Sequence, residues 1–264
     1  MKTYAATSDI DVITSDIPIP GFGLVPVNSF IIKGSEPILV DTHAIVEADE
    51  FMAALHSAID PAELRWLFLT HTDFDHIGSL HRLLDANPQI RVITTFLGVG
   101  IMSLFSPLPM DRLYLLNPGQ KMTAGDRTLA AFKPPVFDNP STTGFLEESS
   151  GTLFSSDCFG ALLQEVPENA SELTEDQLRE GQVFWATVDS PWLHHVEESA
   201  ISNAFDEIRA MQPKMVLSSH LPAADGKYLD RLIDSLVAAP KTTRFAGPDQ
   251  AALEAMLAEM GVPQ

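Results

Sequence analysis

Short apolar runs, each closed by a polar or charged cluster, set the rhythm of the chain. From Gly23, Leu24 to Phe30, Ile31 to Ser35 and Pro37 to Asp41 read as strands of a hairpin meander, with a turn at Ser35-Glu36. Glu47 to Ile59 has helical spacing, with Phe51, Ala54, Leu55 and Ala58 on one face, and Pro61 to Arg65 is a connector. Trp66 to Thr70 is an apolar strand, Ile77 to Ala86 a helix, Ile90 to Thr95 a strand and Val99 to Phe105 a helix that the Pro107-Leu108-Pro109 segment ends. Leu113 to Phe132 is mixed, with a hairpin turn at Gly125-Asp126. Thr152 to Ser156 and Met215 to Ser219 are strands that run into Asp157 and His220. Pro167 to Glu180 is polar and acidic, a surface excursion or lid. Glu197 to Met211, Asp230 to Ala239 and Pro248 to Met260 are helices, the last with Gly261 at its C-terminal cap position.

Strands followed by helices in two comparable halves predict two sheets covered by helices on the outside. No linker composition interrupts residues 1–264, which read as one domain. The segment Met1 to Ile10 lacks an apolar signal-peptide core, and no run of about 18 apolar residues is present to span a membrane. The single cysteine, Cys158, excludes an internal disulfide and fits a reducing cytoplasm. With 36 Asp+Glu against 16 Lys+Arg and a net charge of −20, the surface repels phosphate backbones and anionic lipids, which excludes nucleic acid and membrane partners.

Most of these acids are ordinary solvated surface; a few follow apolar strands directly. His71, Asp73, Asp75 and His76 occupy six consecutive positions after one strand, and Asp157 and His220 each end another. Imidazoles and carboxylates converging on strand ends are costly to dehydrate unless a cation lies among them. Imidazole suits zinc and iron, and carboxylates shift the preference toward harder ions such as iron or manganese. His43 and Asp41 are candidates to support this cluster, and His194-His195 to line a channel, His194 as a proton donor. Cys158 and Phe74 read as packing, and Met102, Phe105 and Met110 as core, with the wall of an apolar pocket as their alternative.

The run His71-x-Asp73-x-Asp75-His76 resembles the signature of the metallo-β-lactamase superfamily, most often written His-x-His-x-Asp-His, and the resemblance spans about Asn28 to Pro222. It implies an α/β fold, the αββα sandwich, with metals at strand ends between the two sheets. The carboxylate at Asp73, the segment Leu153 to Gly160 and Ser219-His220 followed by Pro222 look like the flavodiiron branch and its free-standing oxygen-binding relatives. By that resemblance His71 and Asp73 hold a first metal, Asp75, His76 and His220 a second, and Asp157 bridges them. The branch also has a His before the bridging acid; here Phe132 to Pro140 contains none, and Asp138 is the substitute on offer or else the turn residue of an Asx-Pro pair.

Three functions follow from the resemblance. The fold's commonest use predicts a hydrolase with two metal ions, iron or zinc or manganese, in which Asp75 and Asp157 serve catalysis on a small-molecule ester, lactone, thioester or amide. The branch predicts a diiron protein that binds or reduces O2 or NO, with a separate electron-donor protein because no flavodoxin segment is visible. A degenerate site with one metal or none is the third. The Pro167 to Glu180 excursion and the Trp192 loop are where a lid or a homodimer contact is expected.

Overall fold

A computed structural model describes residues 1–259. Among these residues, thirteen strands and eight α-helices alternate in two halves. The first half contains β1 (Lys2–Ala5), β2 (Ile10–Ile19), β3 (Gly23–Ile32), β4 (Ile38–Val40), α1 (Ala48–Ala58), β5 (Trp66–Phe68), α2 (Leu80–Ala86), β6 (Arg91–Thr94), α3 (Phe96–Met102) and β7 (Leu113–Leu115). The second contains β8 (Lys121–Ala124), β9 (Arg127–Phe132), β10 (Gly144–Glu147), β11 (Thr152–Phe154), α4 (Glu175–Asp189), α5 (Glu198–Ala204), α6 (Asp206–Met211), β12 (Met215–Leu217), β13 (Ala224–Asp225), α7 (Leu229–Ala238) and α8 (Gln250–Glu259).

The strands form a seven-stranded sheet in the order β1 to β7 and a six-stranded sheet in the order β13-β12-β11-β10-β9-β8. Each sheet begins as an antiparallel meander and then turns parallel, β4 beside β5 in the first and β11 beside β12 in the second. Successive side chains on a strand point to opposite faces, and here both faces are covered. Ile31, Leu39 and Leu67 pack outward against Phe51 and Leu55 of α1 and Leu80 and Leu83 of α2. Their neighbours Phe30, Ile32, Ile38, Val40 and Phe68 point inward and meet Phe145, Phe154 and Leu217 of the other sheet. Leu153 and Val216 face the second outer layer, with Leu178 of α4 and Leu232 and Leu236 of α7. Three apolar layers between four layers of structure make the αββα sandwich. Aromatic rings fill the middle: Phe68 and Phe145 lie 4.4 Å apart between centroids, Phe145 and Phe154 4.5 Å, and Phe30 and Phe154 5.4 Å.

Several expectations need amending. Residues 10–19, to which the sequence reading assigns no element, form the longest strand pairing among the described residues, with β2 against β3. Pro18 is tolerated there because β1 pairs only as far as Thr14, leaving that edge of β2 free. The acidic stretch Pro167 to Glu180 is mostly exposed, the surface position expected of it, and its second half is helical. A capping box at Thr174 and Gln177 starts α4, and Leu178, Gly181 and Gln182 bury its inner face. The helix expected over Glu197 to Met211 divides at Phe205, because the Ser202 carbonyl accepts from the Phe205 N–H and the Arg209 guanidinium and leaves the regular ladder. Of the apolar residues expected in the core, Met102 is buried, whereas Phe105 and Met110 are exposed. The proposed cap at Gly261 and the end of the last helix at Met260 lie outside the described residues. No helix among the described residues is long and apolar enough to cross a membrane.

Candidate metal centre

Parallel strands deliver their carboxyl ends to one edge of a sheet, which is where α/β proteins build sites. β4 ends at Val40 before Asp41, and β5 runs into the loop from Leu69 to Gly78; across the sandwich, β11 leads to Asp157 and β12 to His220. The turns are tight. Asp41 and Ser156 both adopt left-handed backbone, with φ of 57° and 54°, a conformation that non-glycine residues take at some cost where the surroundings enforce it.

Asp41 organises the first loop. Its carboxylate accepts from the Thr70 N–H at 2.8 Å and the Thr70 hydroxyl at 2.7 Å, and its Oδ2 lies 2.8 Å from His76 Nδ1. The Nδ1–H of His220 donates to the Pro26 carbonyl at 2.8 Å, a carbonyl freed because β4 pairs only with the far end of β3. His71 Nδ1 lies 3.1 Å from the Ser156 hydroxyl. With Nδ1 engaged in all three rings, each imidazole turns Nε2 inward as a free ligand atom.

All three Nε2 atoms face Asp157. Oδ2 lies 3.3 Å from His71 Nε2, and Oδ1 lies 3.1 Å from His76 Nε2 and 3.3 Å from His220 Nε2. Asp75 Oδ2 completes the second group at 3.5 Å from His76 Nε2 and 3.3 Å from His220 Nε2. Asp73 Oδ2 and Asp138 Oδ1 complete the first, at 3.8 and 3.9 Å from His71 Nε2. Atoms bonded to one ion at roughly 2 Å sit about 3 to 4 Å from one another, so both groups have the spacing of ligand shells. His71 Nε2, His76 Nε2, Asp157 Oδ1 and Asp138 Oδ1 are buried without a hydrogen-bond partner. Buried polar atoms without partners are rare, and four of them converging on shared space fit a pair of cations.

Electrostatics agrees. Burial would raise the Asp157 carboxyl, but the three imidazoles override it and hold the group well below the usual carboxylate range. Burial would lower His220, yet Asp157 and Asp75 bring it up to about 10. Asp138 goes the other way: burial, and then the Asp157 charge, push it up to about 9. Asp189, at the end of α4, is raised to about 7 for the same two reasons.

The structure therefore gathers His71, Asp73, Asp75, His76, Asp138, Asp157 and His220 at one place. His194 is not among them; its Nδ1 lies 3.3 Å from the Pro240 carbonyl in the outer layer, so its expected part as a proton donor finds no support. His43 supports the first loop through its backbone carbonyl, which accepts from the Gly78 N–H at 2.8 Å, while its ring stacks on Phe51 and meets Ser15 and Glu47. Cys158 is buried, and burial pushes its thiol up, as a packing residue requires. Sequence reasoning missed Asn139, whose amide donates to Asp73 Oδ1 at 2.7 Å, and Trp185, whose ring centroid lies 4.8 Å from that of His220. It also missed Asp189; the spacing Gln182, Trp185, Asp189 on one helical face was the available signal.

Phe74, expected to pack, is exposed, and with Ile45, Val46, Ile101 and Phe105 it lines a cavity of about 600 Å³ that reaches Asp73 and Asp75. Their side chains are 41% and 37% exposed while the three histidines are at most 1% exposed, so access to the centre is from this side. Gly78 closes the ligand loop against the segment 43–45 that follows β4, where an added Cβ would lie 2.3 Å from Ile45 N and 2.5 Å from the His43 carbonyl oxygen. Both obstacles are backbone. Gly78→Ala is expected to cost about 2 kcal/mol or more of stability and to loosen the loop; a urea titration with and without metal measures both.

Residues 25–220 match the family described as ODP family beta lactamase. An uncharacterized protein of Methanocaldococcus jannaschii is 23% identical over 193 residues, 73% of this chain and 48% of its own length. The rubredoxin-oxygen oxidoreductase of Megalodesulfovibrio gigas is 23% identical over 182 residues, 65% of this chain and 44% of its own. The chain thus spans about half the length of these curated relatives. Among solved structures, a mutant of the flavo di-iron protein of Thermotoga maritima shares the fold with a TM-score of 0.79 and 20% identity, covering 91% of this chain and 62% of that one.

Proposed function

This chain belongs to the ODP family beta lactamases, and from that premise we propose that it holds two iron ions and binds or reduces O2 or NO, with electrons from a separate redox protein. The carrying observation is the donor set: one buried carboxylate, Asp157, faces three imidazoles, with Asp73 and Asp138 on one side and Asp75 on the other. Such an oxygen-rich set suits iron better than zinc. The names of the relatives, a flavo di-iron protein and a rubredoxin-oxygen oxidoreductase, support the same reading.

His71, Asp73 and Asp138 would hold one ion, and Asp75, His76 and His220 the other, with Asp157 between them. When bound, iron supplies coordination positions and electrons to a diatomic gas. The chain's own residues do the rest. Asp41, the Pro26 carbonyl and Ser156 fix the imidazoles. Asn139 orients Asp73. Phe74, Phe105 and Ile101 give the entrance an apolar lining suited to an uncharged gas. Asp138 in the place of a histidine adds a negative charge, which favours the more oxidised state of the ion.

Hydrolysis, the first expectation from the commonest use of the fold, draws no support from these relatives or from the carboxylate excess. The test is anaerobic reconstitution with ferrous iron, followed by exposure to O2 or NO. Rapid gas uptake with an absorption change is expected. Gas uptake no faster than for free ferrous iron, together with ester or lactone turnover in the zinc-loaded protein, would reverse the assignment.

A further inference from the structure

α4 lies over the ligand end of the second sheet. Gln182 Nε2 donates to the Phe159 carbonyl at 3.2 Å, and Trp185 packs on His220. One turn further, at the last residue of the helix, Asp189 brings a carboxylate oxygen within 4.8 Å of those of Asp138 and Asp157. Its only side-chain hydrogen bond among the described residues comes from the adjacent Ser190 hydroxyl at 3.3 Å. Among the described residues, no lysine or arginine nitrogen lies within 4.0 Å of any of the three acids. An acid in the last turn also opposes the helix dipole. Three carboxylates crowded at such a point repel one another, and something positive is needed beside them.

The second observation is independent of the acids. His71 Nε2 is fully buried, has no hydrogen-bond partner, and points toward two of these acids, 3.3 Å from Asp157 Oδ2 and 3.9 Å from Asp138 Oδ1. A neutral imidazole lone pair aimed at carboxylates is itself repelled unless a cation lies between them. We propose that Asp189 is a further ligand of the first metal position, so that Asp73, Asp138, Asp157 and Asp189 surround that ion with His71 as its single nitrogen. The inference rests on the binuclear reading above. The histidine absent from residues 132–140 is then compensated by two acids from different elements, Asp138 after β9 and Asp189 from α4.

The first position becomes a hard-ion site, and the two positions differ in kind: one is mostly oxygen, while the other draws on His76 and His220. The experiment is anaerobic titration of wild type, Asp189→Asn and Asp189→Ala with ferrous iron, followed by Mössbauer spectroscopy. Wild type is expected to bind two ions in two distinguishable environments. Both variants should lose the oxygen-rich environment, with its affinity down at least about 100-fold, and keep the other. Their metal-free forms should melt no lower than wild type, because a repelled charge has been removed; a folding defect would lower that melting temperature instead. If both variants bind two ions with unchanged affinity and spectra, Asp189 is no ligand while the binuclear reading stands. If wild type itself binds fewer than two ions, that reading falls and this assignment with it.

Discussion

Replacing Asp157 with alanine is expected to abolish binding of both metal ions, whereas replacing Asp75 should abolish only one. Among the described residues, Asp157 is the one group that faces all three buried Nε2 atoms, at 3.1 to 3.3 Å. Asp75 approaches only those of His76 and His220. Residues that merely orient ligands cost about 10 to 100-fold in metal affinity, so loss of a shared ligand should exceed that at both positions. The measurement is metal stoichiometry after anaerobic loading and desalting. An Asp157→Ala protein that retains either ion at wild-type affinity would contradict the bridging role.

Phe145→Ala is expected to destabilise the protein by about 3 to 5 kcal/mol, in the range for emptying a fully buried aromatic site. Phe145 is completely buried, and its ring lies between those of Phe68 and Phe154. The rings belong to both sheets, so the vacancy opens at the contact that holds the halves together. It also lies near the metal centre: the Thr143 N–H, just before β10, donates to the Thr70 carbonyl at 2.9 Å at the root of the ligand loop. Urea unfolding should show a lower midpoint with little change in slope. A shift below about 1 kcal/mol would mean that neighbouring side chains close the cavity.

What could be read from the sequence was whatever is local. Trp66 to His71, Leu153 to Asp157 and Val216 to His220 each write an apolar run followed by a ligand type within a few residues, and the structure brings these three ends together. Strands buried on both faces carry no polar alternation, so Ile10 to Ile19, with Asp11, Asp16 and Pro18 inside it, hid its nature. β10, only Gly144–Glu147, is defined by its neighbours β9 and β11 rather than by its own composition. The exposure of Phe74 and Phe105 depends on a cavity, which no periodicity encodes. For Asp189 the helical spacing marked only a face; its charge counts toward the site because α4 sets Trp185 against His220 and Asp189 near Asp138 and Asp157, contacts between distant segments.

The pairing of β11 with β12 joins segments separated by three helices, and this sets an order in time. A ribosome releases the His71 to His76 loop long before Asp157, and Asp157 long before His220. Contacts so distant along the chain form late. A partly made chain therefore offers a passing ion only a few exposed carboxylates and imidazoles, the weakest grip of its lifetime, and stable capture of metal waits until synthesis has passed His220 and both halves have closed.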